Sequence, residues 1–276
     1  MDHSFVIPAY GTAPQLDSLI VSLKSQTIGS SQIVLTTSTP SKALFALAER
    51  HALPFVVNPR RIDIATDWNF ALGTVATPLV TIAHQDDIYF PDYVATMQQA
   101  FERHPEALIA FCDYVEHTAD GSRPLNLNLR IKRALCRRGF GREEAIAHSS
   151  DKIRFLALGN PIGCPTVAFN RARVPDFRFP DGFKTNLDWM AWLQLARIEG
   201  EFIYVRKTLL SKGVHVLSET TNTIASRARE REDRALFGQF WPRPAAAVLA
   251  WVYRLSYRAN RVTGVAPRRG GPAPRR

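Results

Sequence analysis

Two adjacent carboxylates, Asp86 and Asp87, sit where chemistry can be done. They follow directly on the run Pro78-Leu79-Val80-Thr81-Ile82-Ala83, which is short, apolar and β-branched and reads as a buried strand. In open α/β sheets ligands bind beyond the carboxyl ends of the strands, so the pair points toward a ligand site. Two carboxylates there suit a hard cation such as Mg²⁺ or Mn²⁺, which in turn can hold a diphosphate. An Asp-Asp step after a strand also fits a solvated turn, since Asp is a common turn residue. Both readings stand on the local residues.

The elements that must position this pair follow a repeating order. Phe5-Val6-Ile7 predicts a first buried strand, ending in the loop Pro8-Ala9-Tyr10-Gly11. Leu16, Leu19, Ile20 and Leu23 make one apolar stripe of a helix. Gln32-Ile33-Val34-Leu35 predicts strand 2, broken by Thr36-Thr37-Ser38-Thr39-Pro40. A helix over 41–50 and a strand at Pro54-Phe55-Val56-Val57 come next. The order β-α-β-α-β predicts a Rossmann-like, mostly parallel sheet with right-handed crossovers. No Gly-x-Gly-x-x-Gly follows strand 1, so a dinucleotide site lacks its phosphate loop. Downstream, Asp67-Trp68-Asn69-Phe70 opens a third helix, Pro91-Asp92 starts another, and Leu108-Ile109-Ala110-Phe111-Cys112 predicts a further strand.

Composition sets the outer limits. The 276 residues, 46% of them hydrophobic, can bury a sizeable core. Cys112, Cys136 and Cys164 are odd in number and match no metal-ligand spacing, which fits a reducing compartment. The first residues do not resemble a signal peptide, and no run is long enough to span a bilayer; a cytoplasmic chain is expected. The net charge of +10 is unevenly placed: residues 227–276 hold twelve arginines against three acids, a net +9, which leaves +1 for the rest. A nearly neutral body with carboxylates in its site argues against nucleic acid as a partner. The basic end is attracted instead to an anionic surface.

Several segments in order resemble the landmarks of family 2 glycosyltransferases. They are Ser4-Phe5-Val6-Ile7-Pro8-Ala9-Tyr10, Asp67-Trp68-Asn69-Phe70-Ala71-Leu72 and His84-Gln85-Asp86-Asp87-Ile88-Tyr89-Phe90-Pro91-Asp92. Gly159-Asn160-Pro161-Ile162-Gly163-Cys164-Pro165, Asn186-Leu187-Asp188-Trp189-Met190-Ala191-Trp192 and Gly213-Val214-His215 continue the series. The resemblance spans roughly residues 4–225. It implies an α/β GT-A fold with flanking helices and an inverting glycosyltransferase. Such an enzyme moves a sugar from a nucleoside diphosphate sugar to a hydroxyl of a glycan or lipid-linked acceptor, in cell-surface polysaccharide synthesis. It further implies a divalent metal, Mn²⁺ or Mg²⁺, on Asp86 and Asp87 with His215 as a third ligand. Donor contacts would come from Pro8, Ala9, Tyr10, Thr37, Asp67, Asn69, His84 and Gln85, and acceptor contacts from Cys164, Pro165, Asn186 and Trp189. Residues 1–112 would be the nucleotide-sugar half and 113–225 the acceptor and catalytic half. Residues 226–265 would form a C-terminal helical appendage, and 266–276 a disordered basic tail.

Two departures stand out. Thr36 and Thr37 occupy the end of strand 2, where the family usually carries an acidic pair, and His84 replaces the first Asp of the metal motif. These changes leave open a catalytically inactive sugar-nucleotide binder. Retention of Asp86, Asp87 and a candidate base favours an enzyme.

That base is Asp188. Glycosyl transfer needs an acceptor hydroxyl to lose its proton as it attacks, on the face opposite the leaving diphosphate. On helical spacing Asp188 sits among Leu187, Ala191 and Leu195, where burial raises a carboxyl pKa. An acidic residue in the first turn of a helix also simply complements the macrodipole. His215 reads either as a metal or diphosphate contact or as a surface group.

Two basic segments remain. Arg130, Lys132, Arg133, Arg137, Arg138 and Arg142 cluster in a stretch, 113–158, expected as a mobile insertion. They fit either a solvated amphipathic helix or a lid that meets an anionic acceptor. At the C-terminus a helix over 245–260 carries Val248, Leu249, Trp251, Val252 and Leu255 with Arg254, Arg258 and Arg261. It is expected either to lie on the inner face of an anionic membrane or to pack back on the body.

Overall fold

The computed structural model describes residues 1–11, 14–28, 32–118, 121–123, 126–214 and 227–259. The expected metal ligand His215 and the tail 266–276 lie outside them. The first part follows the predicted alternation: β1 (His3–Ala9), α1 (Leu16–Lys24), β2 (Gln32–Thr37), α2 (Lys42–Arg50), β3 (Phe55–Val57), α3 (Ile64–Gly73) and β4 (Leu79–Ile82). Next come β5 (Ile88–Tyr89), α4 (Tyr93–Arg103), β6 (Ala107–Thr118), β7 (Gly121–Arg123), α5 (Leu127–Phe140), β8 (Ala145–Ile146) and α6 (Ser149–Leu156). A 3-10 turn at Cys164–Thr166 leads into β9 (Val167–Asn170), α7 (Leu187–Ala196), β10 (Glu201–Gly213), α8 (Arg227–Phe237) and α9 (Arg243–Ala259).

Ten strands form one sheet, whose main path runs β3-β2-β1-β4-β9-β6-β10-β5. β3, β2, β1 and β4 are parallel, so their carboxyl ends share one edge, with Ala9, Thr37, Val57 and Ile82 as last residues. β9 runs antiparallel between β4 and β6, and β10 is parallel to β6. The right-hand half is therefore mixed. α3 starts three residues before Asp67, because Asp63 caps it by accepting the Thr66 N–H at 2.8 Å.

Side chains alternate across the sheet and feed two cores. From β1, Phe5 and Ile7 pack with α1, α2 and α4, whereas Val6 faces α3 on the other side. The second face also takes α5, α6, α7, α8 and α9. The stretch 113–158 is thus not a loose insertion. β6 continues through it to Thr118, and Leu129, Cys136, Phe140, Phe155 and Leu156 are buried.

The C-terminal helices are also part of the body. Leu236, Phe237 and Ala246 are buried, and Phe237, Phe240 and Tyr253 enclose the Trp189 ring at 5.1, 6.2 and 5.6 Å between centroids. The Trp241 Nε1–H donates to the Ala157 carbonyl at 2.8 Å. Only the outer face of α9 is open, with Val248, Trp251 and Val252 exposed by 61, 58 and 49%. Arg254 is engaged with Glu230 at 2.7 Å rather than extended outward. If this packing holds the fold, Phe237→Ala should lose about 3–5 kcal/mol in urea unfolding, the usual cost of emptying an aromatic core site. A loss below about 1 kcal/mol would show that the helices are only loosely docked.

Candidate active site

β4 delivers His84, Gln85, Asp86 and Asp87 at the shared edge, and a tight turn, closed by the Asp87 N–H on the His84 carbonyl at 3.1 Å, sets their directions. Asp87 is 1% exposed. Its Oδ1 accepts the Gly213 N–H at 3.0 Å, and its Oδ2 is buried without a hydrogen-bond partner. Burial and the neighbouring Asp86 push its carboxyl well above the usual range, against the pull of Lys212 and the Gly213 amide. His84 lies against Trp68, with ring centroids 5.0 Å apart, and its Nε2 is likewise buried and unpaired. Burial lowers its pKa to about 4, with Lys212 helping and Asp86 opposing, so the imidazole is neutral at pH 7.

The end of β10 closes over this turn. A Cβ on Gly213 would come within 2.3 Å of the Asp86 carbonyl oxygen, so the close approach of the two backbones requires glycine. Its neighbour Lys212 is a residue that the sequence reading overlooked. Burial disfavours its charge, but Tyr114, Asp87 and Asp86 outweigh that and hold its pKa above the ordinary value. Lys212 therefore stays cationic beside the carboxylates.

Asp188 occupies the first turn of α7, half-buried, with Oδ1 accepting the Trp189 N–H at 2.8 Å. Burial raises its pKa, opposed by Lys132, the Trp189 amide, Lys212 and Arg229. Burial raises the Tyr114 and Cys164 pKa values, and Asp87, Lys212 and Asp188 all contribute to both shifts.

The donor-side residues fall into two groups. Pro8 and Ala9 end β1, and exposed Tyr10 donates its N–H to Gln85 Oε1 at 3.1 Å and accepts from Arg61 at its hydroxyl at 2.8 Å. Asp67 serves as a brace: it accepts from Ser38 and Asn58, both at 2.8 Å, and so ties the ends of β2 and β3 to α3. Thr37 is 2% exposed and turns its hydroxyl toward the Thr39 N–H at 3.0 Å. Asn69 is taken up by Phe179, exchanging hydrogen bonds of 2.9 and 2.8 Å with its backbone.

On the other side, Cys164 and Pro165 form the 3-10 turn, and the Tyr89 hydroxyl donates to the Pro165 carbonyl at 2.7 Å. Two expected acceptor contacts need correction. Trp189 is 0% exposed, its indole N–H donating to the Leu156 carbonyl at 3.2 Å. Asn186 is 4% exposed and donates its side-chain amide to Asp233 at 2.7 Å. Both were expected as acceptor contacts from the family resemblance of the segment 186–192. The partners that cover them, α8 and α9, are remote in sequence.

Among the described residues no three His, Cys, Asp or Glu side chains form a ready metal cage. The groups that are present still fit a hard divalent ion. Asp87 keeps a buried lone-pair oxygen without a partner, beside a second carboxylate, and such ions commonly take their other ligands from water and phosphate.

This architecture has solved counterparts. Residues 1–349 of S. aureus TarS in complex with UDP-GlcNAc superpose with a TM-score of 0.63 at 13% identity, over 92% of this chain and 72% of that one. The mannosyltransferase PcManGT from Pyrobaculum calidifontis, in complex with GDP-Man and Mn²⁺, gives 0.62 at 16% identity, over 96% and 76%. At these identities the likeness is one of fold, and the fold is GT-A. A comparison with curated proteins finds no match. The sequence profile of glycosyl transferase family 2 matches residues 4–174, and this chain belongs to that family.

The glycine contact yields a direct test. Gly213→Ala should lower turnover at least tenfold, because the new methyl must displace the Asp86 backbone, while the global fold persists by circular dichroism. Full activity would mean that the β10 end does not set the carboxylate turn.

Proposed function

We propose that this protein is an inverting glycosyltransferase that moves a sugar from a nucleoside diphosphate sugar to a hydroxyl of a glycan or lipid-linked acceptor, in cell-surface polysaccharide synthesis. What supports the reading is a half-buried carboxylate, Asp188, that shares its electrostatic neighbours Lys212, Tyr114 and Cys164 with Asp87. Asp188 takes the proton of the acceptor hydroxyl as its oxygen attacks the anomeric carbon. Attack opposite the leaving group inverts that carbon by a single displacement, the logic of inverting hydrolases. The diphosphate departs on the β4 side, where Lys212 supplies fixed positive charge. Asp86 and Asp87, with His215, are the residues to hold Mn²⁺ or Mg²⁺; the ion would neutralise charge on the diphosphate. Donor complexes of the two fold relatives support the choice of donor class.

The test is donor hydrolysis across a panel of nucleotide sugars with Mn²⁺ or Mg²⁺. Asp188→Asn should lower the rate on the preferred donor by about 10²-fold or more with donor affinity little changed. The parent rate should rise with pH through a pKa above the ordinary aspartate value of about 3.9, because Asp188 works only when ionised. A raised carboxyl pKa destabilises the folded chain above the unfolded value, so Asp188→Asn should be no less stable than the parent at pH 7. Donor binding without any turnover would instead identify an inactive sugar-nucleotide binder.

The outer face of α9 supports a second feature, peripheral attachment at the inner face of the membrane. Val248, Trp251 and Val252 are exposed together, and twelve arginines lie from residue 227 onward. No helix among the described residues is long and apolar enough to cross a membrane. Anionic vesicles should co-sediment the parent chain, and Trp251→Ser with Val252→Ser should reduce that binding at least fivefold without loss of donor hydrolysis. Equal binding by both chains would remove α9 from the interface.

A further inference from the structure

The loop that launches α7 is held from outside by two acids of α8. Glu232 Oε1 accepts the Lys184 N–H at 2.9 Å, while Oε2 accepts the Thr185 N–H, the Thr185 hydroxyl and the Asn186 N–H at 2.9, 2.6 and 3.0 Å. Asp233, 1% exposed, takes the Asn186 side-chain amide at 2.7 Å. One carboxylate thus gathers three successive backbone amides, and its neighbour fixes the residue at the helix cap. Asn186 is the N-cap of α7 yet makes no capping bond with its own side chain, because that side chain is given to Asp233.

The consequence falls on Asp188, two residues further on. The amino end of a helix attracts negative charge and offers unpaired N–H groups. Asp188 already binds one of these, the Trp189 N–H. Without Glu232 and Asp233, the loop amides and the cap would be free to compete for the carboxylate two residues beyond Asn186, Asp188. Burial raises the Glu232 pKa, but its bonds from Thr185, Lys184 and Asn186 prevail and hold it below the usual range, so the brace is anionic throughout the neutral range.

We propose that Glu232 and Asp233 are positioning residues that set the direction of Asp188, which makes α8 part of the catalytic apparatus. The inference rests on the reading of Asp188 as the base, and it goes beyond that reading by placing control of the base on a C-terminal helix.

The experiment is a double-mutant cycle between Glu232→Ala and Asp188→Asn, read by hydrolysis of the preferred nucleotide sugar and by donor binding in calorimetry. Glu232→Ala alone should lower kcat by about 10- to 100-fold, as misplacement of a reacting group does, with donor Kd within twofold of the parent. In the Asp188→Asn background it should cost less than about threefold, since a group that acts through Asp188 has nothing left to position. An equal loss in both backgrounds, or none in the parent, overturns the proposal. If Asp188→Asn itself leaves the rate unchanged, the base assignment fails first, and that result is distinguishable. Glu232→Gln serves if the alanine chain does not fold: it keeps one amide-accepting oxygen, and an intermediate loss that again vanishes with Asp188→Asn supports the same conclusion. A Glu232→Gln loss that persists with Asp188→Asn overturns it.

Discussion

The hydrogen bond from the Gly213 amide to Asp87 Oδ1 joins the end of β10 to the end of β4, two strands that lie three places apart in the sheet. It fixes a carboxyl whose pKa burial and Asp86 push well above the usual range, against the pull of Lys212 and this amide. The close backbone contact at Gly213 makes the join possible and leaves no room for another residue type. Among the described residues Asp87 is thus fixed on one oxygen and has no hydrogen-bond partner on the other, which is buried. A turn tethered in this way can present charge without swinging toward solvent.

Charge balance follows from that constraint. Two acids at the β4 end, a raised base at the head of α7 and neutral His84 would together hold an anion poorly. Lys212 alters this, because its ammonium interacts with the carboxylates on one side and Asp188 on the other. It favours ionisation of Asp188 by attraction and, on the proposed mechanism, would offer a counter-charge to a leaving diphosphate. The departures at Thr36, Thr37 and His84 lessen the acidity of the donor side. A lysine at the end of β10 shifts the pocket further in the same direction.

Local periodicity made the left half of the sheet readable. The stripe of Leu16, Leu19, Ile20 and Leu23 and the short apolar runs at β1, β2 and β4 each declare their element within a few residues. β6 proved longer than expected, because its outer half carries Asp113 and Glu116, and its partner β10 likewise continues through Arg206 and Lys207. What keeps those segments extended is pairing with each other, and their partners are about ninety residues away in sequence. The site divided in the same way. Asp86, Asp87 and Asp188 are legible as candidates from motif and residue type. Lys212 looks like one more basic residue of a strand, and Gly213 like a strand end. Only the approach of β10 to the Asp86 backbone gives those two their meaning. Trp189 departs in the opposite direction: the resemblance implied an acceptor contact, and the ring is core.

The C-terminal helices show why net charge misleads when it is read as a surface property alone. α8 is among the most polar stretches of the chain, Arg-Ala-Arg-Glu-Arg-Glu-Asp-Arg, and its composition suggests a solvated arm. Two of its three acids, Glu232 and Asp233, are taken up by the body nonetheless. Glu232 and Asp233 satisfy amides of the 184–186 loop, while Leu236 and Phe237 close the core beneath Trp189. α9 then packs Tyr253 against the same Trp189 and turns Trp251 outward. One helix pair thereby touches the base-bearing helix on its inner side and presents an apolar face on its outer side. Anything that moves α9 bears on the packing around Trp189, the residue whose own amide holds Asp188. In that arrangement the helix with the exposed apolar face is linked to Asp188 through the Tyr253–Trp189 ring contact.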